Sequence, residues 1–202
     1  MRLLICAALG LVGCTSLTDI DVGAGDIPSL TIQGELAMPA AAARAGVKSA
    51  SWTGDDGAIL AVTTNNGGIQ ISAQQEIEFF SSDEMAELDD QYGKQLDAVD
   101  RIDMEITQLT LTDGKTGAPL DPALAAKVVL DGERLGGQGA RTPLDDSIRE
   151  LATAALTGKS ALDLPFGIEL DCAPGDVAAL PETIQLQVQL QLVLVVQALK
   201  AF

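Results

Sequence analysis

A chain of 202 residues carries 29 acidic side chains against 12 basic ones, a formal net charge of −17 with no histidine, and aromatic residues make up 3% of it. The acidic excess repels phosphate backbones and anionic headgroups, which argues against nucleic-acid partners and polybasic membrane docking. The missing imidazole removes Ser-His-Asp and Cys-His nucleophile systems and His-rich catalytic zinc sites in one step.

In chain order, the first element is an apolar stretch. Arg2 precedes Leu3 to Val12, and small Gly13 stands directly before Cys14. About ten apolar residues are too few to cross ~30 Å of hydrocarbon as a helix, and the pattern is that of a secretory leader. The residues Leu11-Val12-Gly13-Cys14 resemble the lipobox of bacterial lipoproteins, with a leucine three positions before the cysteine and a small residue directly before it. The resemblance implies that diacylglycerol alkylates the Cys14 thiol, that the leader is cut before it, and that the new amine is acylated, as by palmitate. Thr15, rather than an aspartate, follows the cysteine, which by the same analogy implies the outer membrane of a Gram-negative cell. One acyl chain binds membranes marginally at ~0.8 kcal/mol per methylene, whereas two or more anchor stably. The alternative is an ordinary secretory leader with a chance cysteine.

On this reading residues 1–13 are a signal peptide, 14–29 a lipidated tether and 30–202 a single β-rich domain. The mature chain has 189 residues (202 minus 13) and 11 basic side chains (12 minus Arg2), giving a net charge of −18. Cys6 leaves with the leader and Cys14 is consumed by lipid, so Cys172 remains alone and no intrachain disulfide can form. The tether "TSLTDIDVGAGDIPS" has no helical stripe, and as a flexible chain it would reach about 20 Å. Its Asp19, Asp21 and Asp26 depart from the calcium-loop pattern, because Gly23 and Ala24 occupy ligand and turn positions, so solvated tether is the expectation there. Asp55-Asp56-Gly57 and Asp113-Gly114 read as ordinary turns.

Strand signals begin at "SLTIQGELAM", where Leu30, Ile32 and Leu36 alternate and Gly34 suggests a bulge or bend. The following "PAAAARAG" is either a helical turn or a loop. Asn65-Asn66-Gly67-Gly68, between two β-prone runs, predicts a tight hairpin. Beyond it Ile69, Ile71, Ala73, Ile77 and Phe79 share one face, while Gln70, Ser72, Gln74, Glu76 and Glu78 share the solvent face.

The period then changes. Ser81-x-x-Glu84 fits a capping box, and Met85, Leu88, Tyr92, Leu96 and Val99 form a helical stripe, with Gly93 costing about 1 kcal/mol against alanine and inviting a break. A strand follows in which Ile102, Met104 and Ile106 switch phase to Leu109 and Leu111, which predicts a bulge near Gln108. Between Asp113 and Gly139 loops and short elements are expected, with a helical turn at Asp121-Pro122 and an apolar run Val128-Val129-Leu130 before Asp131-Gly132. A second helix is predicted with Thr142 as cap, Pro143 in its first turn, Asp145 near its start, a stripe of Leu144, Ile148, Leu151 and Ala155, and an end at Gly158.

"ALDLPFGIELDC" alternates with period two and puts Cys172 on the apolar face, which predicts a buried, inert thiol. The C-terminal run sets Ile184 to Ala198 at even positions on one side and Gln185, Gln187, Gln189, Gln191 and Gln197 on the other, with Val193 and Val195 intruding. An unbroken strand of this length would extend about 50 Å at ~3.3 Å per residue, so a bend or sheet crossing is expected near Val193. Alternation and a final Phe202 do not make a membrane barrel, whose wall needs repeated strands with aromatic girdles. "TGKS" at 157–160 lacks the earlier glycine of a phosphate-binding loop, Thr153 standing in its place, and reads as a helix end.

No catalytic, cofactor or metal site is expected. The acidic set Asp83, Glu84, Glu87, Asp89, Asp90, Asp97, Asp100, Asp103 and Glu105 reads first as a solvated face, with a basic partner or a cation as the alternative. The expected fold is mainly β, an antiparallel sandwich with about two packed helices, α+β being the alternative. The expected role is a lipid-anchored, non-catalytic envelope protein that binds or supports an envelope partner. Two rivals remain: a carrier of an apolar ligand or lipid, motivated by long aliphatic strands, and a carboxylate-dependent hydrolase of envelope polymers, which needs two converging acids in a cleft.

Overall fold

The computed structural model describes residues 19–22, 29–38, 49–53, 59–65, 68–96, 99–120, 125–173, 176 and 179–197. Period-two runs become strands because alternate side chains then face one apolar layer. In chain order the elements are β1 (Asp19–Val22), β2 (Leu30–Ala37), β3 (Ser49–Thr53), β4 (Ile59–Asn65), β5 (Gly68–Phe80), α1 (Ser82–Leu96), β6 (Val99–Asp113), β7 (Ala125–Leu130), β8 (Glu133–Arg134), β9 (Arg141–Pro143), α2 (Asp146–Gly158), β10 (Leu162–Cys172) and β11 (Thr183–Gln197).

The strands form two antiparallel sheets. In the first, β11 pairs with β6 along one side and with β2 and then β1 along the other, and β9 lies beyond β6. In the second the order is β3-β4-β5-β10-β7-β8. One core joins them: Ile184, Leu186, Val188 and Leu190 from β11 share a cluster with Ile71, Phe166, Ile168, Leu170, Val128 and Leu130 and with Met85 and Ile148 of the helices. The mainly β, sandwich-like class with a pair of helices is as expected from the sequence.

Both helices sit at one end of the sandwich. α1 connects the end of β5 to the start of β6, and α2 connects the end of β9 to the start of β10. Phe80 pairs with Leu162 in one sheet, and in the other Pro143 pairs with Asp103, four residues past the start of β6. The helices pack on each other. Lys159, just past α2, reaches the carboxylates of Asp89 at 3.0 Å and Asp90 at 3.5 Å on α1.

Several local expectations hold. Asn65 pairs with Gly68, so β4 and β5 are antiparallel neighbours up to the ends of the expected hairpin. The capping box forms: Ser81 N–H donates to Glu84 Oε2 at 2.8 Å and Glu84 N–H donates to Ser81 Oγ at 3.3 Å. The bulge in β6 falls at Thr107, because Gln189 pairs with Gln108 and Leu190 with Ile106. Cys172 is buried, and its Sγ donates to the Ala173 carbonyl at 3.6 Å.

Others are corrected. The stretch assigned to the tether contains β1, whose residues pair with Leu194 to Gln197. The physical reason is that β2 pairs only Thr183 to Leu190, so the last residues of β11 would otherwise keep unpaired main-chain groups on that side. Gly34 makes no bulge, since β2 keeps its register through the Gly34 and Leu186 pair. The helical stripe ends before Val99, which opens β6, and α1 runs through Gly93 without a break. Val128-Val129-Leu130 belongs to a regular strand, β7, paired with β10. It turns at Asp131 and Gly132, whose φ values of 45° and 83° match a two-residue hairpin turn.

The second helix starts later than expected. Thr142 and Pro143 lie in β9, and the cap is Asp145, whose Oδ1 accepts from Ile148 N–H at 2.9 Å. The buried stripe is then Leu144, Ile148, Ala152 and Ala155, while Leu151 is 51% exposed. At the other end α2 stops at Gly158 as expected, and Lys159 just beyond it has a φ of 50°. β11 stays in one sheet past Val193, with a register shift between Val195 and Val196. Val193 and Val195 are buried, as is Asp103 beside Val193, so their apolarity marks a covered part of the outer face. Cys14, "PAAAARAG", Asp55-Asp56-Gly57, Asp121-Pro122 and Phe202 lie outside the described residues.

Candidate functional site

Where β11 is flanked by β2 and β6, its register assembles a surface that no single strand reveals. Gln189 stands between Thr31 and Gln108, Gln187 between Gln33 and Thr110, and Gln185 between Glu35 and Thr112. The neighbours of these residues in sequence, Ile32, Leu36, Leu186 and Val188, belong to the core, so the nine polar side chains share the outer face. Three rows across three strands cover about 14 Å along the strands and about 10 Å across them.

This face differs from the rest of the molecule. The whole chain carries a net charge of −17, yet Glu35 is the one ionisable side chain among the nine. A shallow depression of about 430 Å³ lies on it, lined by Gln33, Glu35, Thr110, Thr112, Gln185 and Gln187 among others. Gln189 Nε2 donates to Ser29 Oγ at 3.0 Å and Gln108 Nε2 to Thr110 Oγ1 at 3.3 Å. Among the described residues Gln33, Gln185, Gln187 and Thr112 make no side-chain hydrogen bond. Each primary amide offers two donors and an acceptor, and each hydroxyl offers one donor and acceptor lone pairs. The face therefore presents free hydrogen-bonding capacity with almost no charge.

Two other concavities compare poorly with it. An open groove of about 570 Å³ runs along α2, lined by Arg149, Glu150, Thr153, Ala154, Thr157 and Gly158. Its polar groups are largely used internally: Arg149 Nη1 donates to the Asp100 carbonyl at 3.2 Å, Thr153 Oγ1 to the Arg149 carbonyl at 2.8 Å and Thr157 Oγ1 to the Thr153 carbonyl at 2.9 Å. The cavity between the sheets is lined by Ile32, Leu36, Ala73, Phe166, Ile168 and Leu186 among others and holds about 30 Å³. That is the share of one water, against several hundred Å³ for a pocket that encloses a ligand.

The acidic set is dispersed over separate tasks. Asp83, Glu87 and Asp90 are exposed on α1, and Glu84 closes its cap. Asp89 and Asp90 face Lys159. Asp103 is buried and takes Arg101 Nε at 2.6 Å and Nη2 at 3.1 Å, while Glu105 faces Arg141 at 3.4 Å. Asp97 lies outside the described residues. Among those residues no three His, Cys, Asp or Glu side chains gather as a metal site would require.

The titration shifts have structural causes. Backbone N–H groups of Lys115 at 2.7 Å and Thr116 at 3.2 Å hold the Asp113 carboxyl below its ordinary value. The Ile148 N–H and the Ser147 hydroxyl do the same for Asp145 at the α2 cap. Lys115 is pushed up by Glu182, and Lys159 by Asp89 and then Asp90. Lowered carboxyls are the reverse of what a proton-donating acid needs.

The glutamines of β11 were visible in the sequence as one side of a strand. Their partners were not, because Thr31 and Gln33 lie near the other end of the chain and only the register brings them alongside. Among the described residues no helix is long and apolar enough to cross a membrane. Comparison of the chain with family models, with curated proteins and with solved structures finds no match.

Proposed function

We propose that this is a lipid-anchored, non-catalytic protein of a bacterial envelope, held at the outer membrane through acylated Cys14, and that it binds an envelope partner through the glutamine and threonine face of β2, β11 and β6. The observation that carries the binding role is the free, nearly uncharged hydrogen-bonding grid on a strongly acidic body. Among the described residues Gln33, Gln185 and Gln187 are left without internal partners, and a partner supplying matching donors and acceptors would satisfy them. Recognition of this kind is weakly sensitive to salt, in contrast to ion pairing on an acidic surface.

The leader pattern around Leu11-Val12-Gly13-Cys14 supports the anchor. The test is a pull-down from native membranes with the wild type, Cys14→Ser and the double variant Gln185→Ala/Gln187→Ala, at low and high salt. The partner is retained by the wild type at both salt levels and lost from the glutamine variant, whose folded state is checked by circular dichroism. A partner retained equally by the glutamine variant overturns the face. A mature chain whose Cys14 sulfur is found bare by mass spectrometry overturns the anchor.

A further inference from the structure

We infer that the helix-capped end of the sandwich is the end that faces the bilayer, with the glutamine and threonine face carried outward, clear of the headgroups. The inference rests on acylation of Cys14. It is carried by β1, which fixes where the chain leaves the body. Asp19 pairs with Gln197 and Val22 with Leu194, so β1 enters at the far end of β11. Val99, the first residue of β6, which follows α1, pairs with Val196 at that same end. The chain therefore emerges beside the two helices.

Four residues, Thr15 to Thr18, separate Cys14 from Asp19. Five Cα steps span at most about 18 Å when fully extended. β11 itself runs about 46 Å from Thr183 to Gln197 at ~3.3 Å per residue. If the opposite end, with the Asp113 to Leu120 loop, pointed at the membrane, Asp19 would stand about 46 Å away, well beyond that reach. A flank laid flat against the bilayer has little to hold it. The body repels anionic headgroups, and among the described residues the exposed large apolar side chains are Ile59 and Leu151, of which Leu151 lies on α2 at the helical end. Along β11, Gln189 to Gln185 lie about 23 to 36 Å farther from the membrane than Val196. The position suits a surface that meets a partner in the space beyond the bilayer.

The test uses acylated full-length protein purified from membranes and reconstituted into phosphatidylcholine vesicles carrying a headgroup acceptor dye. A donor dye is placed on Glu87→Cys, exposed on α1, or on Ala118→Cys, exposed in the distal loop; Cys172 is buried and does not compete. Energy transfer to the bilayer is expected to be several-fold higher from position 87 than from position 118. A third chain, Ile20→Pro with each label, disrupts the pairing of β1 and lengthens the unpaired linker to the start of β2; the contrast between labels then shrinks. Equal transfer from both positions, or higher transfer from 118, overturns the orientation. A contrast unchanged by Ile20→Pro overturns β1 as its cause. Protein that fails to float with the vesicles overturns the acylation reading instead, so the two failures are told apart.

Discussion

Gly34 offers the sharpest test of how the two sheets meet. It lies between buried Ile32 and Leu36 on the inward face of β2, opposite Leu186, and a Cβ built on it meets nothing within 4 Å. Beneath it is the inter-sheet cavity of about 30 Å³. A methyl group fits such a space. Replacing a strand glycine by alanine lowers the conformational freedom of the unfolded chain, worth about 0.5–1 kcal/mol. Burying the added carbon contributes up to ~0.8 kcal/mol more. Gly34→Ala should therefore stabilise the protein by about 1 kcal/mol or somewhat more, which for a domain of this size raises Tm by roughly 2–6 °C. Urea unfolding followed by circular dichroism measures the gain, with the midpoint shifting and the slope unchanged. If Gly34→Ala lowers the midpoint at constant slope, the space beside Gly34 does not accept a methyl group, and the open position described for it is wrong.

Other substitutions probe separate links. Ser81→Ala removes the hydroxyl that Glu84 N–H bonds to and should cost about 1 kcal/mol in the same urea assay. Gly114→Ala would bring a Cβ within 2.6 Å of Thr183 Cγ2 and 3.3 Å of its carbonyl oxygen, so a loss of about 1–3 kcal/mol is expected, readable as a lower thermal midpoint. For pH, the lowered carboxyls of Asp113 and Asp145 contribute stability that is present above the ordinary carboxyl value near 3.8 and lost as pH falls through their depressed folded values. The raised lysines, Lys115 and Lys159, contribute stability that is full below 10.5 and lost as pH rises through their elevated folded values. Asp113→Asn should make the acid limb of the thermal midpoint shallower, and an unchanged acid limb would refute the role of the Asp113 turn.

What could be read from the sequence was local, and what could not was relational. The alternation in β10 and β11, the antiparallel pairing up to Asn65 and Gly68, the Ser81 and Glu84 box and the phase slip in β6 are each written within a few neighbouring residues, and each appears in the structure. The shift of the α2 cap from Thr142 to Asp145 shows the limit of such local signals. Thr142 and Pro143 have the chemistry of a helix start, but pairing with Asp103 and Met104 of β6 holds them in a strand, and the next oxygen-bearing residue takes the cap. β1 and β7 were missed for the same reason: Asp19–Val22 and Ala125–Leu130 are short, and what makes them strands is an unpaired neighbour waiting far along the chain, β11 for one and β10 for the other.

The candidate face is the extreme case. Four glutamines in alternation specify only that one side of β11 is wet, and the same pattern would serve an ordinary solvated strand. It becomes a surface with a definite chemistry when β2 and β6 add threonine and glutamine, with Glu35 as the one acidic side chain, in a chain that carries 29 aspartates and glutamates. That choice is made at three separated places, and it matters only after folding has brought them together.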